Sequence, residues 1–411
     1  MENYQTIIIG GGAAGLFAAA NVKTEYGKVL LLERGERVGK KLSSTGNGQG
    51  NITNERVGEA PYFSVRGDKT QEKQLQGYFM RYGKKEMLAF LESLGGMFSA
   101  DERGRYYPTG RQASAITDLL RFYIAERGVE TLTSAYVYSV QKIGGRYEIK
   151  AKTADGERTF FAKNVLLCTG GKAAKNFGTD GNGYEIAKSF SHTVTALYPA
   201  LVQLKTDTRY TKTLKGIRIL DGGLTAFVGG AAVASFYGDI IFTDYGVSGD
   251  AVFRISSFIA DKLDGGKVTL SIDLLPSVSK EKLLSALTEK KKAFPALPES
   301  ELLCGILNNQ VGRAVWKRYG ENGLSAVCDG IKAFELPVTG SLGFDYAQVT
   351  KGGIPLAEVD EALQSRNSAG LYFAGEILDV DGECGGFNLQ WAYTSAMVCA
   401  QAISEKSEGQ V

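Results

Sequence analysis

Residues Gly10-Gly11-Gly12-Ala13-Ala14-Gly15 have the types and spacing that hold a dinucleotide. They match G-x-G-x-x-G after a short apolar run, Thr6–Ile9, and before a small-residue helix, Ala13–Tyr26. Gly10 permits the tight turn, Gly12 lets the backbone approach a pyrophosphate, and Gly15 allows close helix–strand packing. A helix beginning near Ala14 would turn its N-terminus toward the phosphates. A second strand, Val29–Glu33, ends in a carboxylate placed to accept ribose hydroxyls, with Arg34 following it. That carboxylate would repel a 2′-phosphate, which disfavours NADP here. The plain alternative is a turn before a helix with a surface glutamate, and the strand–turn–helix–strand order argues against it.

The fingerprint alone does not separate FAD from NAD. Two other segments point to FAD. Val165–Gly171 (VLLCTGG) reads as a second strand end, and Thr169 and Gly170 would pass near the dinucleotide. An ordinary strand and turn is the competing reading. Gly370–Ala396 supplies another strand end at Gly375-Glu376, suited to the ribityl chain of FAD. Gly386 then permits a close backbone approach, Asn388 can cap a helix from about Leu389, and that helix N-terminus would stabilise a reduced, anionic flavin. A solvated acidic loop is the bland reading of this stretch. Asp379-Val380-Asp381-Gly382-Glu383 brushes the EF-hand pattern but lacks the full loop, so no metal is expected. In FAD enzymes a strand residue of an antiparallel excursion meets the adenine through its backbone. Val137 is the candidate here, with plain strand packing as the alternative.

The elements that must position these residues read as α/β. Lys40–Asn54 is a polar, glycine-rich loop. Glu72–Gly95 and Ala113–Arg127 carry helical patterns, Thr131–Val140 and Arg146–Ala151 read as an antiparallel excursion, and Asn164–Thr169 as a buried strand. From about Leu197 to Thr243 short alternating segments suggest a β-rich insertion. Helices follow between Ser248 and Tyr319. We therefore expect a first cofactor segment over 1–195, an inserted β-rich domain over 196–338 with a helical part near 248–320, and a second cofactor segment over 339–411.

Length and composition set the limits. At 411 residues the chain exceeds a single core. A net charge of +2 gives no basic field for nucleic acid or an acidic membrane. No apolar run reaches the roughly 18 residues of a membrane span. The five cysteines form no C-x-x-C pair, and no signal peptide precedes the first strand, so a reducing cytoplasm is expected. Glycine is abundant at 52 residues without a Gly/Ser tract, so close approaches and turns, not linkers, explain it.

The whole chain resembles the aminoacetone-oxidase-family flavoproteins, the BaiN-like NAD(P)/FAD-dependent oxidoreductases of bacteria. The likeness runs through IIIGGGAAGLFAA, LERGERVGKKLSSTGNGQGNITN, GRYYPTGRQASAITDLL, SHTVTALYPALVQL, VTKGGIPLAEVD and LYFAGEILDVDGECGGFNLQWAYTSA. It implies a discontinuous glutathione-reductase-type FAD-binding Rossmann domain carrying an inserted β-rich and helical domain. It also implies that Lys41, Thr45 and Asn47 wrap the cofactor, and that Lys351-Gly352-Gly353 lies along the flavin ring; an ordinary surface turn is the other reading of that tripeptide. One departure stands out. The family loop commonly reads G-R-C-N, whereas this chain has Gly48-Gln49-Gly50-Asn51, so a thiol role there is in doubt. Cys384 keeps its family place, though a small buried residue is its simpler reading.

The expected activity is that of an FAD-dependent oxidoreductase transferring hydride through flavin N5 to or from a small organic substrate. No second strand–glycine–helix unit with its own acidic end is evident, so NADH or NADPH, as donor, would bind transiently. Alternatives are a flavin-dependent RNA-modifying enzyme and a flavin-binding protein without turnover. The run Lys290-Lys291-Lys292 is a slender basis for RNA, since a helical lysine cluster is usually a solvated face. The one histidine, His192, reads as structural. Candidate proton donors are Tyr106, Tyr107, Asp379 and Glu383, unranked, and Arg105 or Arg111 could orient an anionic substrate.

Overall fold

The computed structural model describes residues 2–59, 62–64 and 69–409. The chain divides into two compact units: residues up to Tyr198 together with those from Val349, and Pro199–Gln348.

The first unit is built on a seven-stranded sheet. Its first strand, Glu2–Ile9, lies between Val29–Leu32 and Gly156–Leu167, parallel to both. Ile7, Ile8, Val165 and Leu166 are fully buried, as a parallel sheet covered on both faces requires. The strand Gly156–Leu167 does two jobs. Its start pairs antiparallel with Arg146–Thr153, and its end, Val165–Leu167, pairs parallel with Leu371–Phe373. The two ends of the chain thereby share one sheet.

Two helices complete the joint. The small residues Ala14, Gly15, Ala18 and Ala19 bury one face of the first helix, Ala13–Asn21. The C-terminal helix, Phe387–Glu408, packs on it, with Phe17 and Tyr393 edge to face at 5.2 Å. A small-residue face lets the helix backbones come close.

The second unit is a closed six-stranded barrel, joined to helices Asp250–Ile259, Lys280–Ala293, Asn309–Tyr319 and Gly323–Lys332. Leu224, Leu270, Ile272 and Leu336 point into its own core, apart from the core of the first unit. The lysine run of Lys280–Ala293 is consumed locally. Lys290 donates to the Cys304 carbonyl, Lys291 pairs with Glu299 at 2.5 Å and Lys292 with Glu289 at 2.8 Å.

Several expected boundaries move. Residues 130–132 are not part of an antiparallel excursion: Glu130–Leu132 is a parallel edge strand beside Val29–Leu32, and the excursion begins at Tyr136. The helical pattern of 72–95 is two helices, Lys69–Arg81 and Lys84–Ser93, broken at Tyr82-Gly83. A boundary at 338/339 would cut the barrel strand Phe334–Ser341, so the return to the first unit comes at Val349. The helical part of the insertion runs on to Lys332 and is interrupted by the barrel strand Val268–Asp273.

Candidate functional site

The glycine turn has the geometry of a phosphate cradle. Gly10 sits at φ +105°, and a Cβ there would lie 2.5 Å from the Cys168 carbonyl oxygen. A Cβ on Gly15 would fall inside the Gly10 carbonyl. Both positions therefore exclude any side chain. Gly12 is different: it caps the first helix, among the described residues no side-chain cap bonds the helix N-terminus, and a Cβ would meet nothing within 4 Å. Open space thus lies before free backbone N–H groups, the arrangement that receives an anion.

Glu33 is fixed by that turn. Its Oε2 accepts the Gly11 N–H at 2.7 Å and its Oε1 the Gly35 N–H at 2.6 Å. A carboxylate has about four acceptor sites, so capacity remains for hydroxyl donors. Arg34 pairs with Asp180 at 2.7 Å and lies 5.0 Å from the Tyr136 ring. Val137 is buried, and its carbonyl accepts from Asn182 Nδ2 at 3.4 Å. Asp180 and Asn182 therefore join this corner. Neither is evident from the sequence, because the turn before Asn182–Ser189 carries no cue beyond its glycines.

A second set gathers around Glu376. Its Oε2 pairs with Lys41 Nζ at 2.7 Å, and its Oε1 accepts the Thr350 N–H at 2.8 Å. Thr350 Oγ1 in turn accepts from the N–H groups of Lys172 and Ala173. Gly375 is held on both sides, its N–H donating to Ser395 Oγ and its carbonyl accepting from Trp391 Nε1. Ala14 lies directly beneath it: a Cβ on Gly375 would come 2.9 Å from that of Ala14. Thr169 Oγ1 is buried without a hydrogen-bond partner among the described residues, and Gly170 follows in the left-handed region at φ +70°. The Lys351-Gly352-Gly353 segment is not a surface turn. It is buried, with Gly353 bonded both ways to Thr195.

A third set forms the open side. Thr53-Asn54 pairs with Arg105-Tyr106, and Asn54 Nδ2 donates to the Gly385 carbonyl at 2.9 Å. The loop 41–54, the strand Arg105–Pro108 and the turn 382–386 thus meet. Thr45 turns its hydroxyl back to the Leu42 carbonyl, while Asn47 is exposed in the left-handed region at φ 55°. Asn388 is not the helix cap. Gly386 takes that place, the helix starts at Phe387, and the Asn388 amide clamps the Gly382 N–H and carbonyl. The Leu389 side chain packs on the core.

The candidate proton donors separate. Tyr106 donates to Glu55 at 2.8 Å, and Ser64 donates to Asp379. Tyr107 is buried, with the Arg111 guanidinium 4.1 Å from its ring. Burial pushes its hydroxyl above the ordinary value, so it stays protonated. Arg105 is engaged by Asp101 at 2.7 Å. Glu383 is buried, and Cys384 is half-buried near Tyr107. His192 has both ring nitrogens bonded, Nδ1 to Glu358 at 2.8 Å and Nε2 to Ser365 at 2.7 Å. Among the described residues no group of three or more His, Cys, Asp or Glu side chains could hold a metal ion.

Comparison with known proteins follows this geometry. Residues 4–402 match the HI0933-like protein Rossmann domain. A 3-dehydro-bile acid Δ(4,6)-reductase of Clostridium scindens is 34% identical over 97% of this chain and 98% of its own. A ribosomal RNA dihydrouridine synthase of Haemophilus influenzae is 28% identical over 99% of this chain and 100% of its own. Its Escherichia coli counterpart is 29% identical over 98% of each. A 3-ketosteroid-Δ4-(5α)-dehydrogenase structure from Rhodococcus jostii shares the fold, with TM-score 0.53, 16% identity and coverage of 98% and 97%. A 3-ketosteroid Δ1-dehydrogenase of Sterolibacterium denitrificans gives 0.53 at 13% identity, over 99% and 100%.

Proposed function

The chain belongs to the HI0933-like family, and on that premise we propose that it is an FAD-dependent oxidoreductase that adds two hydrogens to an unsaturated small organic substrate. One observation carries the cofactor: a capless helix N-terminus opens onto free space beside a carboxylate clamped by Gly11 and Gly35. The residues fit FAD. Gly10, Gly12, Ala14 and Gly15 would hold the pyrophosphate, Glu33 the ribose, and Arg34, Val137, Asp180 and Asn182 the adenine corner. Lys41, Thr45, Asn47, Thr169, Gly170, Gly375 and Glu376 would line the middle of the cofactor. Gly386, Asn388 and Leu389 would bring the C-terminal helix to its far ring.

Bound FAD would supply two-electron redox chemistry at its ring. The protein's part is positional and protic. Glu376 is immobilised by Lys41 and Thr350, so its carboxylate is oriented before a hydroxyl arrives. Tyr107 makes no hydrogen bond among the described residues, and its Oη supplies the proton, with Arg111 above its ring. The names of the relatives support the reaction class, since one is a Δ(4,6)-reductase and two are dihydrouridine synthases; the bile-acid reductase alone supports a small substrate, the other two being named for ribosomal RNA. NADH or NADPH is the transient donor in this reading. With no disulfide among five free cysteines, the site of action is the cytoplasm.

The test is a cuvette experiment. Purified protein, or protein reconstituted with FAD, should show flavin absorption, and anaerobic NADH or NADPH should bleach it. Addition of a 3-oxo-Δ4 bile acid should restore the colour. Protein that stays colourless after reconstitution overturns the proposal. Ribosomal RNA in the same assay decides the RNA alternative.

A further inference from the structure

The acidic turn before the C-terminal helix contains a buried carboxyl group. Asp381 is 1% exposed, and among the described residues neither Oδ1 nor Oδ2 has a hydrogen-bond partner. Its neighbours are engaged. Asp379 accepts from Ser64, Glu376 from Lys41 and the Thr350 N–H, and the Gly382 backbone is clamped by Asn388. The Asp381 main chain pairs with Phe63 in a short antiparallel ladder.

The groups facing it favour a neutral acid. Lys351, from the strand Val349–Lys351, is a cation that acts on it; Asp379 and Glu376 oppose that effect. Tyr62, on the paired strand, spends its hydroxyl on the Phe387 carbonyl. Burial pushes the Asp381 carboxyl well above its usual range, Lys351 pulls it down, and the two acids push it further up. A buried carboxylate without hydrogen bonds is among the costliest arrangements in a protein. A buried carboxylic acid that donates one bond is a known way to hold a polar ligand atom.

We propose that Asp381 is a neutral hydrogen-bond donor built into the site, and that its missing partner is a carbonyl oxygen or ring nitrogen of a bound ligand. The turn Gly352-Gly353 lies against the same segment, since a Cβ on Gly353 would come 2.6 Å from the Ile377 carbonyl oxygen. The helix N-terminus at Gly386 follows five residues later. Naming the ligand rests on the FAD reading; the neutral state does not.

Two measurements test this. The first needs no cofactor. A carboxyl whose folded pKa lies above its unfolded value of about 3.9 removes stability as pH rises between the two. Asp381→Asn keeps the shape and never ionises. In cofactor-stripped protein the Asn variant should melt above wild type, with a gain that grows from pH 5 to pH 8. A gain absent at every pH, or shrinking with pH, overturns the neutral state. The second is infrared spectroscopy of wild type carrying 13C-aspartate, which decides the matter even where the variant does not fold. A protonated-carboxyl band should persist at pH 7. A shift on adding FAD alone identifies the cofactor as acceptor, and a shift only on further adding a 3-oxo-Δ4 bile acid identifies the substrate. Absence of the band, or a band that neither addition moves, overturns the proposal. Failure to bind FAD would sink the flavin reading while leaving the melting test intact.

Discussion

Among single residues, the structure ranks what the sequence leaves level. Tyr106, Tyr107, Asp379 and Glu383 are equivalent as letters, but Tyr106, Asp379 and Glu383 already have partners in the fold. Tyr107→Phe should leave FAD binding and the flavin spectrum unchanged and lower kcat by about 10²–10⁴-fold, the usual worth of a positioned proton donor. Stopped-flow reoxidation by substrate reads it, and a variant with wild-type kcat would remove Tyr107 from the mechanism. His192 goes the other way. It bonds Glu358 and Ser365, and its ring meets Phe373 edge to face at 4.9 Å. Burial alone would raise the Glu358 carboxyl, but hydrogen bonds from Thr193 and His192 hold it below the ordinary value. A depressed carboxyl adds stability above its unfolded pKa of about 4.3 and loses it as pH falls through the folded value. His192→Gln should therefore lower stability by about 1–3 kcal/mol near pH 7. The deficit should narrow below about pH 4, with FAD affinity unchanged. Denaturant titration at several pH values measures it.

Secondary elements were legible where local chemistry dictates them and illegible where a long-range partner does. The strand–glycine–helix start is plain, since the positive φ of Gly10 and the approach of Gly15 to the Gly10 carbonyl are local. Glu130–Leu132 carries no local signal for its place, because a three-residue strand is set only by pairing with Val29–Leu32. Asn388 looked like a cap because asparagine favours that position. The cap is Gly386 instead, at φ +99°, where a Cβ would lie 2.5 Å from the Thr53 carbonyl oxygen. The orphaned state of Asp381 has no sequence signal at all, since it depends on what Phe63, Lys351 and Asp379 leave over. Gly386 thus gives an element-level prediction. Gly386→Ala must both adopt a left-handed backbone and displace the Thr53 strand, so it should destabilise the protein by more than about 1 kcal/mol. FAD affinity should fall with it, because the helix N-terminus and the 41–54 loop shift together. Thermal melting and FAD titration check the pair, and a variant that melts like wild type would show the turn to be adaptable.

At the scale of the whole molecule, every residue proposed for the cofactor lies in the unit made of the chain's two ends, and Pro199–Gln348 contributes none. The exit and return of the chain are tied within that unit. Thr195 donates its N–H to the Gly353 carbonyl, and Thr195 Oγ1 accepts the Gly353 N–H, both at 2.9 Å. A short linker can therefore close the gap left by removing 199–348. The barrel has its own buried core around Leu224 and Leu270, so its removal takes away a second core, not a share of the first. We expect the shortened chain to retain α/β circular dichroism and to bind FAD. Ligand linkage then sets the size of the effect: FAD at 100 times its Kd should add about 2.7 kcal/mol to the stability of the shortened chain, as it does to the intact protein's cofactor unit. Differential scanning calorimetry with and without FAD measures this directly. A folded shortened chain whose melting ignores FAD would mean that the barrel unit supplies contacts the glycine cradle lacks, and the cofactor assignment would have to be redrawn around both units.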